Sequence, residues 1–248
     1  MREPPGVADY QRFIAGLSFR YIQPQTRIPR YLRSLLRNLD AVGLSFEFVN
    51  TRVPPEAQAL KVSLKRIFTI RKMSSLAIGM IINKIVSTLS ADVCFVNIGV
   101  WNGFTLLAGM VGNAEKTCIG VDRFWQEKSP KDAFMKRFLT LRSPQHHFYE
   151  LDCATYFQTV HTGKIGFYLY DGDHSYDCQM ENLLAAEPFF ADRCVIMIDD
   201  INYDETRQAA FDFMRQSHYD YEMVVHERTR SNRHLTFWNG VMLLQRVR

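Results

Sequence analysis

The chain has 248 residues, 47% apolar and 23% charged, which is ordinary globular composition and excludes a disordered, collagen-like or coiled-coil chain. Its longest strongly apolar run, Leu76 to Ile82, ends at Asn83-Lys84, far short of a membrane span, and the start Met1-Arg2-Glu3-Pro4-Pro5 leads into no apolar stretch that reads as a signal peptide. The net charge of +4 is unevenly placed: residues 1–90 carry 14 Lys and Arg against five acids, which reads first as a solvated helical face, and no RNP, KH or zinc-finger pattern supports nucleic acid.

Taken in chain order, Ile28 to Leu39 has apolar residues at helical spacing and ends near Gly43. Pro54-Pro55 reads as a helix start leading into Ala57 to Phe68. Ser74 to Leu89 is a further helix, apolar on most sides and so expected to pack against the main domain. From residue 91 short β-branched runs alternate with helical ones. Strands are expected over 93–98, 117–122, 145–151, 165–170 and 194–198, with helices from Phe104, over 131–141, over 177–189 and from about Glu205 to Ser217. Two last strands, 221–226 and 241–246, flank a polar stretch. The pattern predicts an α/β fold: a doubly wound, mostly parallel seven-stranded sheet with an antiparallel C-terminal hairpin, preceded by a helical N-terminal segment. The expected division is 1–72 for that segment and 73–248 for the main domain. The five cysteines include no CxxC pair and lie mostly in apolar segments, so reduced thiols in a cytoplasmic protein are expected.

Sheets of this kind bind ligands outside the carboxyl ends of their strands. Here those ends carry the Gly99–Gly103 turn, Asp122, Asp152, Asp171 and Asp199-Asp200. Glycines after a strand bring a ligand close to backbone N–H groups, and a carboxylate ending the next strand can accept both ribose hydroxyls of a nucleoside. Asp171, Asp199 and Asp200 end neighbouring strands and can converge. Three carboxylates in one cleft need a divalent cation, raised pKa values or a basic partner, and oxygen ligands suit Mg²⁺, Ca²⁺ or Mn²⁺. His174 follows closely enough to serve as a general base, or else to tie the next helix start to the strand end. His146-His147 are expected at the surface. Trp101 and Trp125 can line a pocket or fill the core, and His226, His234, Trp238 and Asn239 lie where a loop can cover an acceptor.

The segments Val96-Asn97-Ile98-Gly99-Val100-Trp101-Asn102-Gly103, Gly120-Val121-Asp122, Asp171-Gly172-Asp173-His174-Ser175-Tyr176 and Ile198-Asp199-Asp200 resemble those of class I S-adenosylmethionine-dependent methyltransferases. The last two are similar to the small-molecule O-methyltransferase branch that includes TylF-type and cephalosporin-hydroxylase-like proteins. The resemblance spans about residues 73–248. It implies that Asn97, Gly99, Val100, Trp101, Asn102 and Gly103 hold the methionine part of S-adenosylmethionine, that Asp122 with Arg123 holds its ribose, and that Asp152 and Cys153 lie beside the adenine. It also implies that Asp171, Asp199 and Asp200 bind Mg²⁺, with Asp171 and His174 catalytic. The family usually has Glu or Asp where this chain has Asn97. The expected reaction is methyl transfer to a hydroxyl of a small-molecule acceptor, a sugar or a natural-product diol, in an enzyme that can form a homo-oligomer. The alternatives are an RNA- or nucleotide-directed methyltransferase, and a non-catalytic protein that retains the fold.

Overall fold

The computed structural model describes residues 5–41, 43–125 and 129–247. The reading of the first residues as lacking a leader falls largely on 1–4, outside the described residues.

The N-terminal segment contains α1 (Val7–Ala15), β1 (Ser18–Phe19), α2 (Arg30–Ala41), α3 (Phe46–Asn50), β2 (Thr51–Arg52) and α4 (Gln58–Ser63), with β1 and β2 paired antiparallel. The helix expected over 57–68 is instead three short pieces. Single 3₁₀ turns at Pro55–Ala57 and Leu64–Ile67 flank α4. Proline at the first turn supplies a start, but the tight 3₁₀ bonds change the winding on either side. α5 (Leu76–Thr88) is capped by the Ser75 hydroxyl, which accepts from the Ile78 N–H, and it is buried on nearly every side, as its composition requires.

There follow β3 (Val93–Ile98), α6 (Phe104–Met110), β4 (Thr117–Val121), α7 (Lys131–Leu141), β5 (His146–Tyr149), α8 (Cys153–Thr159), β6 (Lys164–Tyr170), α9 (Tyr176–Ala186), β7 (Phe190–Asp199), α10 (Asp204–Gln216), β8 (Tyr221–Glu227) and β9 (Val241–Arg246). The sheet order is β5-β4-β3-β6-β7-β9-β8. The first five strands run parallel, and β9 lies antiparallel between β7 and β8. This is the doubly wound seven-stranded sheet with a C-terminal hairpin that the alternation of elements predicts.

Successive residues of a strand face opposite sides of the sheet. Phe95, Phe167, Leu169, Val195 and Met197 join α5, α6 and α7 in one core layer, which also takes in Tyr10, Leu17, Phe19, Leu64 and Ile67 from the N-terminal segment. Val96, Ile98, Tyr168, Tyr170, Ile196 and Ile198 face the other layer, with α8, α9 and α10. Both faces are covered, which is why the central strands read as continuous apolar runs. The N-terminal segment is fastened by a buried ion pair: Glu47 lies 3.8 Å from the Lys72 ammonium and also accepts from the Leu76 N–H at the start of α5. All five cysteines are unpaired. Among the described residues no helix is long and apolar enough to cross a membrane.

Candidate active site

The strand order reverses between β3 and β6, and there the chain crowds. The Gly99 N–H donates to the Val121 carbonyl, and the Asp171 N–H donates to the Ile98 carbonyl. Gly99 has φ +78°, and a Cβ on it would lie 1.9 Å from the Asp171 carbonyl oxygen, so no side chain is tolerated. Gly103, at φ +95°, starts α6 where a Cβ would strike Phe134. Between them Asp122 organises the turn. One carboxylate oxygen accepts from the Val100 and Trp101 N–H groups at 2.9 and 2.8 Å, and the other accepts from the Phe124 N–H at 2.8 Å. The predicted ribose ligand is thus first the residue that shapes the glycine turn, with lone-pair capacity left on the cleft side.

A cavity of about 690 Å³ opens at these strand ends. Gly99, Trp101, Asp122, Arg123, Asp152 and Cys153 line it, whereas Val100, Asn102 and Gly103 turn inward. Asn97 is fully buried. Its amide donates to the Ile98 and Gly99 carbonyls, and its Oδ1 has no hydrogen-bond partner. Asp152 caps α8 by accepting from the Thr155 N–H and hydroxyl, which holds its carboxyl below the usual range. Burial pushes the Cys153 thiol up to about 12, so it is an apolar wall rather than a nucleophile.

On the other side of the cleft, Asp171, His174 and Asp200 converge, with one potential ligand atom from each within 4.8 Å of the others. His174 Nε2 is 2.8 Å from Asp200 Oδ2, and the imidazole stacks on Tyr203 with ring centroids 5.6 Å apart. Asp199 does not line the cavity: its Oδ1 accepts from the Asp200 N–H, and its Oδ2 is buried without a partner. Burial raises the Asp171 carboxyl well above its ordinary value, and the neighbouring Asp199, Asp200 and Asp122 raise it further. Burial and the Asp200 charge do the same to Asp199. For His174, burial favours the neutral ring, but the hydrogen bond and charge of Asp200, with Asp173 adding to them, outweigh it and leave the pKa raised.

Among the described histidines His174 alone lines the cavity, and His147 is exposed as expected. His146, expected at the surface, is buried and bonded to the Ser143 N–H and the Asn113 carbonyl, because β5 enters the sheet one residue into its pattern. His234 joins the Thr236 hydroxyl to the Thr26 carbonyl, and His226 packs edge-on against Phe211 away from the cleft. Trp125, Trp238 and Asn239 do line the cavity. So do Tyr203, just beyond Asp200, and Arg233, in the 229–240 loop, neither of which carries a motif signal.

A family model described as a methyltransferase domain matches residues 96–201. No curated protein matches the chain. Among solved structures the chain is similar to the SAH-bound methyltransferase PaMTH1 of Podospora anserina, at 13% identity over 90% of this chain and 100% of that one, with a TM-score of 0.56. It is similar to cofactor-bound Rv0187 from MTB, at 14% identity over 89% and 98%, with a TM-score of 0.56. It is also similar to the O-methyltransferase TomG of Streptomyces achromogenes in complex with SAM, at 12% identity over 87% and 99%, with a TM-score of 0.54. Residues 96–201 thus match a methyltransferase-domain model, and the sheet that carries them has a Rossmann-like methyltransferase fold.

Proposed function

We propose that the chain is an S-adenosylmethionine-dependent O-methyltransferase of the small-molecule branch, acting on a hydroxyl of a sugar or natural-product diol. The observation that carries this reading is the placement of the His174–Asp200 pair and Asp171 in the same cavity as Gly99 and Asp122. One half of the cleft suits a nucleoside with a charged tail, and the other half suits proton removal. Gly99 admits the cofactor close to the backbone, and the free capacity of Asp122 meets its ribose. Nε2–H of His174 donates to Asp200, which leaves Nδ1 free to take the acceptor's hydroxyl proton. The acceptor oxygen then forms its bond to the methyl carbon as the carbon–sulfur bond breaks, and the sulfonium becomes a neutral thioether. The protein's task is chiefly alignment of oxygen, carbon and sulfur.

The donor set also fits a divalent cation. Asp171 and Asp200 face the cavity, and buried oxygens of Asp199 and Asp200 lack partners. Mg²⁺ held by Asp171 and Asp200, with Asp199 behind them, would fix the acceptor oxygen and lower its pKa. Because burial and mutual repulsion raise Asp171 and Asp199, cation binding is expected to release protons, and affinity to fall as the pH drops toward the raised values. Calorimetry of Mg²⁺ binding in two buffers of different ionisation enthalpy reads that release. Identical heats in both would exclude it.

The reading is tested by incubating the protein with methyl-labelled S-adenosylmethionine and a panel of sugars and catechol-like diols, with Mg²⁺ or EDTA. Label on an acceptor oxygen is expected, reduced by EDTA and by Asp200→Asn. Absence of label on every member would refute the small-molecule reading, and label on RNA would replace it.

A further inference from the structure

Among the described residues, six that are not glycine have positive φ: Trp101, Phe124, Arg193, Asp200, Arg233 and Trp238. All but Arg193 line the cleft. Such backbone is strained for a residue with a side chain and persists only where its surroundings enforce it, characteristically at functional sites. Four of the five have a visible use within the fold. The Trp101 N–H donates to Asp122 and the Trp101 ring lies under Arg71, and Phe124 packs against Phe134 and Phe148. Asp200 holds His174, and Trp238 is covered by the Arg37 guanidinium at 4.0 Å.

Arg233 differs in its side chain. Its backbone, at φ 60°, is pinned by an N–H bond of 2.6 Å to Asn239 Oδ1. The Asn239 carbonyl in turn accepts from the Asn202 N–H, and the Gly240 carbonyl accepts from the Asp200 N–H. Asn202 further ties Thr229 and Asn232. The loop is therefore bolted to the segment that carries Asp200, and Arg233 is held among the residues that line the cleft. Yet no described residue takes its guanidinium as an ion-pair, hydrogen-bond or ring partner. The other cleft arginine, Arg123, lies on the cofactor side, where its charge acts on Asp152 and Asp173. The exposed Arg233 guanidinium, on a backbone pinned at the cleft, is available to a ligand. A planar five-donor guanidinium recognises an oxyanion with two parallel bonds.

We propose that Arg233 is a specificity-determining residue that binds an oxyanion of the acceptor, so that the hydroxyl compound methylated here carries a carboxylate or a phosphate ester. The inference rests on the methyltransferase reading for the word acceptor, but anion binding at Arg233 is measurable without turnover.

Calorimetric titrations, with and without S-adenosylhomocysteine, would compare 3,4-dihydroxybenzoate with neutral 3,4-dihydroxybenzamide, and glucose 6-phosphate with glucose. At least one anionic probe is expected to bind about tenfold or more tighter than its neutral partner. The preference should vanish in Arg233→Gln and survive in part in Arg233→Lys. Arg233→Gly, which deletes the charge and relaxes the left-handed backbone, guards against a misfolded Gln variant and should lose the preference too. The carboxylate and phosphate arms separate the two sources of charge. Equal binding of neutral partners, a preference that survives loss of Arg233, or no binding of any anionic probe would overturn the proposal. Normal cofactor heat and methylation of a neutral diol alongside that failure would leave the methyltransferase reading standing.

Discussion

Replacing His174 by alanine is expected to lower methyl-transfer turnover by about 10²–10⁴-fold, the usual contribution of a positioned general base, while leaving affinity for S-adenosylhomocysteine almost unchanged. The imidazole is bonded to Asp200 at 2.8 Å and stacked on Tyr203, so its geometry is set before any acceptor arrives. The pH dependence has a definite sign. Proton removal needs the neutral ring, and the Asp200 bond raises the pKa in protein freed of divalent cations. The acidic limb of the rate profile should therefore lie above the unperturbed value of about 6.5 and disappear in His174→Ala. Stability runs the other way: the pair stabilises the fold fully below about 6.5 and loses that contribution as the pH rises through the raised folded-state value. A steady-state profile of both proteins checks this. A loss under about threefold would transfer the base role to Asp171 or Asp173.

Glu47→Ala should destabilise the fold by about 3–5 kcal/mol, because it removes one partner of a buried ion pair. Glu47 and Lys72 are 1% and 2% exposed, which is what separates this pair from Arg12–Asp9, 79% and 56% exposed and expected to contribute under about 1 kcal/mol. The Leu76 N–H at the start of α5 would lose its acceptor at the same time. Urea denaturation should show a clearly lowered midpoint for Glu47→Ala and a much smaller shift for Asp9→Ala, which loses the exposed ion pair and the Gly6 N–H bond at the start of α1. An unchanged midpoint in both would mean that the Lys72 charge is held by its other contacts, the Phe68 and Phe104 rings among them.

The fold was legible because burial on both sheet faces writes itself into the sequence as apolar strands, such as Val93–Ile98 and Lys164–Tyr170, separated by helical runs. What local pattern hides is competition for a side chain. Asp152 reads as a site acid, and its work as the cap of α8 conceals a seven-residue helix that the sequence reading leaves out. α1 is missed for a similar reason: a nine-residue helix started by Gly6 gives little periodicity to see. At the site, Asp122 spends three acceptor bonds on the backbone, and Asp199 turns its carboxylate toward Asp200. Neither choice follows from spacing. Arg233 is invisible for the opposite reason, since its importance lies in a backbone conformation that only long-range pinning of its loop creates.

The cleft between Gly99 and Asp122 is proposed to bind S-adenosylmethionine and its demethylated product. Titration of S-adenosylhomocysteine into the wild-type protein and into Asp122→Ala, followed by calorimetry, tests it most directly. The structure predicts micromolar affinity for the wild type, on the order of −8 kcal/mol, and a marked loss in the variant, in which the Val100, Trp101 and Phe124 N–H groups lose their acceptor. Absence of heat from the wild type with both forms of the cofactor would contradict the account, and equal affinity in the variant would remove Asp122 from it.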